Sequence, residues 1–299
     1  MPCIGRFAPS PTGPLHFGSL LAALASYLDI RSRNGFWKVR VEDLDPPREQ
    51  PGAADHILRT LEAFGLHWDG EVVYQSQRHD LYQEALQVLI DQGTAYPCNC
   101  SRKQLRARGV QGYDGHCLHQ PPPALANVAY RVRHLQPRQH FNDRIQGRRD
   151  YHWHGHQGDF VVFRRDGLFA YQLAVVVDDA DQGITDILRG SDLIDETPHQ
   201  LELQQQLGYP PPDYAHIPVI THANGQKLSK QNLAPAIDPQ DRLTLLRQAL
   251  SLLGQGPSPD LADATLTELL DWGCLNWNPA AIPAVLSLPA AKHLPGQVY

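Results

Sequence analysis

The chain has 299 residues, 42% of them hydrophobic, which is ample for a packed core in one large or two modest domains. Its net charge of −6 opposes a nucleic-acid partner in the sum, although binding answers to local potential, and no apolar run reaches the length of a membrane span. Five cysteines, an odd number with two close together, point to reduced thiols or metal ligands in a cytoplasmic protein.

The first expected element is a short strand over Cys3 to Phe7, with no basic and apolar leader before it. In RFAPSPTGPLHFGSLLAAL, the prolines Pro9, Pro11 and Pro14 forbid a continuous strand or an early helix, while Leu20, Leu21, Leu24 and Leu28 recur with helical spacing. A helix therefore opens around Leu15 or His16. Its first backbone N–H groups point back over the PSPTG loop, the geometry that receives a phosphate. His16 is placed to donate to a phosphoryl oxygen, and Gly18, one turn in, lets a bulky group approach the helix backbone. The segment is not a P-loop, which needs a lysine after its glycines, and it lacks the dinucleotide fingerprint.

A strand near Trp37 to Val41 and helices at about Ala53 to Phe64 and Arg78 to Gln92 follow. From Ala95 to Ala170 there are twelve Lys and Arg against five acidic residues, a balance of +7 that leaves −13 for the rest. Such a stretch suits contacts to an RNA backbone. It contains Cys98, Cys100 and, after sixteen intervening residues, Cys117, three thiolates that need a fourth ligand to close a zinc tetrahedron. Asp114, His116 and His119 are what coordination chemistry offers first, and Tyr113 stands close by. A closed set of four is structural, one zinc per chain, and holds a subdomain too small to build its own core.

Next come a hairpin-like pair, Phe160 to Arg164 with Leu168 to Val177, then a strand at Ile184 to Leu188, a helix at Thr197 to Leu207 and a strand at Ile217 to Ile220. Asp178 and Asp179 read as a strand terminus facing a crevice. The loop THANGQKLSKQN sets Lys227 and Lys230 three residues apart, able to neutralise charge on a leaving pyrophosphate. A helix over Arg242 to Leu253 and a shorter one near Leu261 to Leu270 form a helical appendix. The alternation predicts an α/β fold, a parallel sheet with helices on both faces. It divides as a first α/β part (1–94), an inserted basic subdomain suited to zinc and RNA contacts (95–170), a second α/β part (171–237) and a helical C-terminal region (238–299). Arg6 and Arg189 are candidates to pair with carboxylates, and Glu42 to hold an α-ammonium.

His16-Phe17-Gly18-Ser19 and Lys227-Leu228-Ser229-Lys230 resemble the HIGH and KMSKS signatures of class I aminoacyl-tRNA synthetases. RFAPSPTG, VRVEDLD and FAYQLAVVVDD resemble the glutamyl branch of that class, and the likeness covers residues 2 to about 240. The chain departs from that branch by having only sixty-nine residues after Lys230, too few for the helical domains that grip an anticodon, and by Gln231 where the signature continues. This truncation resembles relatives that activate glutamate and attach it to the queuosine base in the anticodon of tRNA(Asp).

The resemblance implies a Rossmann-like class I catalytic domain that uses ATP, which brings its own Mg2+. It implies ATP contacts at Pro9, Thr12, His16, Gly18, Lys227 and Lys230, with His16, Gly18 and the two lysines catalytic. It implies glutamate contacts at Arg6, Ala8, Ser10, Glu42, Tyr171 and Arg189, the last two lining the side-chain pocket. Tyr113 is implied as the fourth zinc ligand beside Cys98, Cys100 and Cys117, and the anticodon arm of tRNA(Asp) as the RNA partner. A monomer is expected. An ordinary enzyme charging the terminal adenosine of tRNA, and a non-catalytic RNA-binding module, are the competing readings.

Overall fold

The computed structural model describes residues 2–109, 112–123, 127–221 and 235–289. Strand β1 (Ile4–Phe7) leads through the proline loop into helix α1 (Phe17–Arg31), and the chain returns as strand β2 (Phe36–Val41). Helix α2 (Ala53–Ala63), strand β3 (Val73–Tyr74) and helix α3 (His79–Asp91) follow. The basic stretch holds strand β4 (Ala95–Cys98), short helices α4 (Arg102–Ala107) and α5 (His116–His119), and strands β5 (Ala129–Val132), β6 (Arg138–Asp143), β7 (Gly147–His152) and β8 (Phe160–Phe163). Helix α6 (Tyr171–Asp181), strand β9 (Asp186–Gly190), helix α7 (Thr197–Leu207) and strands β10 (Asp213–Ile217) and β11 (Val219–Thr221) come next. Helices α8 (Arg242–Leu252) and α9 (Leu266–Leu275) precede strand β12 (Ser287–Pro289).

Five strands in the order β10-β9-β1-β2-β3 pair in parallel throughout. The order reverses at β1, with β9 on one side and β2 on the other, so a crevice opens at the carboxyl ends of these strands. Helix α1 lies against β1, β2 and β9 and is apolar on nearly every side because its other flank meets α8 and α9. Phe17, Leu20, Leu24 and Leu28 share one core with Trp37, Val39, Leu246, Leu250 and Leu269. The C-terminal helices α8 and α9 thus pack into the same hydrophobic core as α1. No helix among the described residues is long and apolar enough to cross a membrane.

Residues 171–177 correct the hairpin expectation, since they form helix α6 and not a strand. Three successive β-branched valines favour a strand locally. The helix prevails because Gln172 through Asp179 are all buried, with α3, α7 and β8 packed around them, and tertiary burial overrides propensity. Pro218, with no N–H to give a ladder, splits the expected strand over Ile217 to Ile220, so that Ile217 pairs with Gly190 and Val219 with Ser287. The last helix starts later than expected, at a capping box in which Thr265 and Glu268 satisfy each other's backbone N–H groups. Within the basic stretch, β4, β5 and β8 make an antiparallel sheet and β6 and β7 a hairpin.

Candidate active site

The proline loop is pinned to its neighbours: Pro9 O accepts the Glu42 N–H at 2.9 Å and Pro11 O the Gln50 N–H at 3.0 Å. Gly13, at φ +137°, makes the turn that a side chain would strain. His16 caps α1, its Nδ1 accepting the Ser19 N–H at 3.3 Å while Nε2 lies 3.1 Å from Ser19 Oγ. The end of α1 therefore opens onto a cavity of about 590 Å³ at the carboxyl ends of β1, β2 and β9.

That cavity brings together ten residues singled out in the sequence. Arg6 comes from β1, Ala8, Pro9, Ser10, Thr12, His16 and Gly18 from the first loop and the start of α1, and Glu42, Tyr171 and Arg189 complete the set. Lys227 and Lys230 lie outside the described residues. The described chain on either side of them adjoins the cavity, since Val219 and Ile220 line it and Ala236 bridges to His16. Sequence reasoning missed Arg48 and Asp192, which also line it.

A buried ionic layer supports one wall. Arg40, fully buried, donates to Asp179 Oδ1 at 2.8 Å and lies 3.6 Å from Asp178. Arg6 spends Nε and Nη2 on the same Asp179 at 3.1 and 3.4 Å. Asp178 accepts from Gln75, Arg78 and Tyr82 at 2.7 to 2.9 Å. The two aspartates, expected at a strand terminus facing the crevice, thus sit on helix α6 locked to arginines. Burial opposes ionisation of Asp179, but Arg40 and Arg6 outweigh it and hold the carboxyl below its usual range.

Glu42 differs from these paired carboxylates. Its side chain is 10% exposed, its nearest cation is Arg40 at 3.7 Å, and its Oε1 is buried without a hydrogen-bond partner among the described residues. Burial pushes its carboxyl up to about 7 against the pull of Arg40 and Arg6. A buried, unsatisfied carboxylate at a cavity wall is costly unless an outside cation completes it. Arg189 also lines the cavity; its Nη1 donates to the Tyr171 hydroxyl at 3.4 Å and its Nη2 to Thr197 Oγ1 at 2.9 Å.

Away from the cavity, the sulfur atoms of Cys98, Cys100 and Cys117 lie within 4.8 Å of one another, the one such cluster of metal-type side chains among the described residues. The Tyr113 hydroxyl is 3.6 Å from Cys98 Sγ and accepts the Cys117 N–H at 2.8 Å. Asp114 pairs with Arg108, and the His119 ring packs on His156. Three thiols and a phenol, with Cys98 at the end of β4 and Cys117 on α5, suit a tetrahedral ion that prefers sulfur. Beside them opens a hollow of about 850 Å³ whose lining includes Arg102, Arg131, Arg164 and Arg165. Arg108, Arg144, Arg148 and Arg164 close on carboxylates of the chain itself, which narrows the basic face. On α4, Arg102, Lys103 and Arg106 are exposed.

The model of the class I tRNA synthetase (E and Q) catalytic domain matches residues 3–254. The chain is 52% identical to the glutamyl-Q tRNA(Asp) synthetase of Pseudomonas syringae pv. syringae, covering 97% of this chain and 98% of that protein. It is 54% identical to the glutamyl-Q tRNA(Asp) synthetase of Chromobacterium violaceum over 95% and 97% of the two. Among solved structures, the glutamate tRNA ligase of Elizabethkingia meningosepticum in complex with its amino acid superposes with a TM-score of 0.79 at 23% identity, over 97% of this chain and 67% of that one, a likeness of fold.

Proposed function

The chain belongs to the class I tRNA synthetases of the glutamyl and glutaminyl type, and on that premise we propose that it activates glutamate with ATP and transfers the glutamyl group to the queuosine base in the anticodon of tRNA(Asp). The observation that carries this reading is the near-full-length likeness to two glutamyl-Q tRNA(Asp) synthetases. The cavity supports it, since its lining holds a helix terminus for phosphate, the Glu42 carboxyl with a buried Oε1 lacking a hydrogen-bond partner among the described residues, and Arg189.

In the first step the α-carboxylate of glutamate attacks the α-phosphorus of ATP. An oxygen–phosphorus bond forms, the bond to the β-phosphate oxygen breaks, and pyrophosphate leaves with both electrons. No side-chain nucleophile is required, because alignment and charge stabilisation lower the barrier. Pro9, Thr12, His16 and Gly18 cradle the nucleotide, and Lys227 and Lys230 neutralise the departing pyrophosphate. Glu42 takes the α-ammonium of glutamate, Arg189 and Tyr171 its side-chain carboxylate, and Arg6, Ala8 and Ser10 complete the contacts. ATP arrives with its own Mg2+. In the second step a hydroxyl of the queuosine cyclopentenediol attacks the mixed anhydride, and AMP leaves.

Residues 1–94 and 171–237 form the catalytic part in this reading, with 95–170 inserted as the zinc-binding, RNA-contacting subdomain and 238–299 as the C-terminal region. Cys98, Cys100, Cys117 and Tyr113 would hold one zinc ion, which supplies structural closure and leaves no open position for a reactant. The hollow lined by Arg102, Arg131 and Arg165 would take phosphates of the anticodon arm.

Glutamate-dependent pyrophosphate exchange without any tRNA tests the activation step, and its absence would contradict it. The same assay reads Glu42. Only the ionised carboxylate attracts an ammonium, so kcat/KM for glutamate should rise with pH through about 7 and then level off. Glu42→Gln should lower the plateau and abolish the rise. A wild-type profile flat from roughly pH 6 to 8 would remove Glu42 from this role.

A further inference from the structure

Behind Arg189, on the side away from the cavity, stand two fully buried side chains, His216 on β10 and Asp143 at the end of β6. Arg189 Nε lies 2.9 Å from His216 Nε2, and His216 Nδ1 lies 2.6 Å from Asp143 Oδ2. A guanidinium keeps its protons, so Arg189 Nε must donate and His216 Nε2 must accept. The imidazole proton is thereby assigned to Nδ1, from which it donates to Asp143. Burial, reinforced by the charge of Arg189, pushes the imidazole down to about 4 against the pull of Asp143, so the ring is neutral at physiological pH.

Asp143 is itself held firmly. Its Oδ1 accepts the N–H groups of Ile145, Gln146 and His216 at 3.0, 2.8 and 3.1 Å. The turn of the β6–β7 hairpin fixes the carboxylate, the carboxylate fixes the imidazole tautomer, and the imidazole fixes the guanidinium about its Nε–H axis. The two outer nitrogens of Arg189 are then set toward Tyr171 and Thr197.

We infer that Asp143 and His216 are positioning residues that orient Arg189 for the side-chain carboxylate of glutamate, an inference that rests on the assignment of Arg189 to that carboxylate made above. It gives the hairpin of the basic stretch an indirect part in amino-acid binding, through Arg189. The ordering of a charged fork by a buried acceptor matters because a misdirected guanidinium loses the paired geometry that planar carboxylates reward.

Asp143→Asn is the sharpest test. The amide oxygen can keep the backbone N–H groups, while its NH2 faces His216 Nδ1 and drives the ring proton to Nε2, where it opposes the Arg189 Nε–H. Pyrophosphate exchange should then show a glutamate KM about 10- to 100-fold higher, the loss expected for a broken hydrogen bond to a charged group, with the ATP KM within about twofold of wild type. His216→Asn keeps a donor for Asp143 but withdraws the acceptor from Arg189, whereas His216→Gln can reach Arg189 with its oxygen. The inference expects the asparagine variant to lose glutamate affinity and the glutamine variant to recover most of it, a difference that also decides the matter if Asp143→Asn does not fold. Equal losses in the two His216 variants, or a parallel rise in both substrate KM values, would overturn it. Arg189→Lys is measured alongside. An unchanged glutamate KM there would remove Arg189 from the pocket and take the inference with it, while a raised KM beside an Asp143→Asn variant that behaves as wild type would overturn the inference alone.

Discussion

Replacing Cys98 and Cys100 together by serine should strip the purified chain of its metal and cut transfer to RNA far more than adenylate formation. The three thiols come from a stretch whose own apolar cluster is small, little more than Tyr96, Tyr113, Leu105 and Leu118 around the sulfurs. Such a cluster cannot order α4, α5 and the loop between them unaided, whereas a structural zinc site supplies on the order of 10 kcal/mol of folding free energy. The cavity proposed for catalysis adjoins a separate and larger core, with α1, β1 and β2 packed against the C-terminal helices. Metal analysis should give about one zinc per wild-type chain and none in the double variant. Glutamate-dependent pyrophosphate exchange should survive while aminoacyl transfer is lost. Zinc retained at full occupancy in the double variant would refute the ligand assignment, and exchange falling as far as transfer would refute the division of labour.

Lys230→Ala should lower the activation rate by about 100- to 1000-fold while leaving ATP affinity nearly intact, the magnitude associated with losing one group that stabilises developing charge. The motive is placement. The described residues before and after Lys230 in the sequence reach the cavity, with Val219 and Ile220 in its wall and Ala236 paired to His16. Charge accumulates on the bridging oxygen only as pyrophosphate departs, so a lysine that meets it there acts on the transition state rather than on bound ATP. Equilibrium ATP binding and single-turnover activation, measured on the same variant, separate the two. Binding that falls as steeply as the rate would contradict the role.

What could be read in the sequence follows from the range of the forces involved. The first loop and α1 were legible because prolines, a glycine and leucines at helical spacing act locally, and helix α7 emerged over its expected span. The alternation of strands and helices carried the parallel sheet for the same reason. Helix α6 was misread because its valines favour a strand locally, while the burial that makes it a helix comes from α3, α7 and β8, far away in the chain. Asp179 was placed at the crevice because no sequence pattern announces partners as distant as Arg6 and Arg40.

The residues gathered in the cavity were found largely through the family likeness, since an arginine or glutamate at a strand end is commonplace. Asp143 and His216 escaped notice altogether. One lies in a stretch legible only as basic and the other is a lone histidine in an apolar strand, and they meet through a contact spanning 73 residues. Their geometry is the only signal they give.

The central claim concerns the acceptor, and transfer of labelled glutamate to an isolated anticodon stem-loop tests it most directly. Loop bases can be splayed into a pocket in a way that paired bases cannot, so the stem-loop alone carries what the reaction needs. A tRNA(Asp) stem-loop containing queuosine should accept glutamate, the same stem-loop with guanine should not, and binding should weaken as salt rises because phosphate contacts release counterions. Glutamate appearing instead on the terminal adenosine of intact tRNA, with none on the queuosine stem-loop, would contradict the account and assign the chain to ordinary tRNA charging.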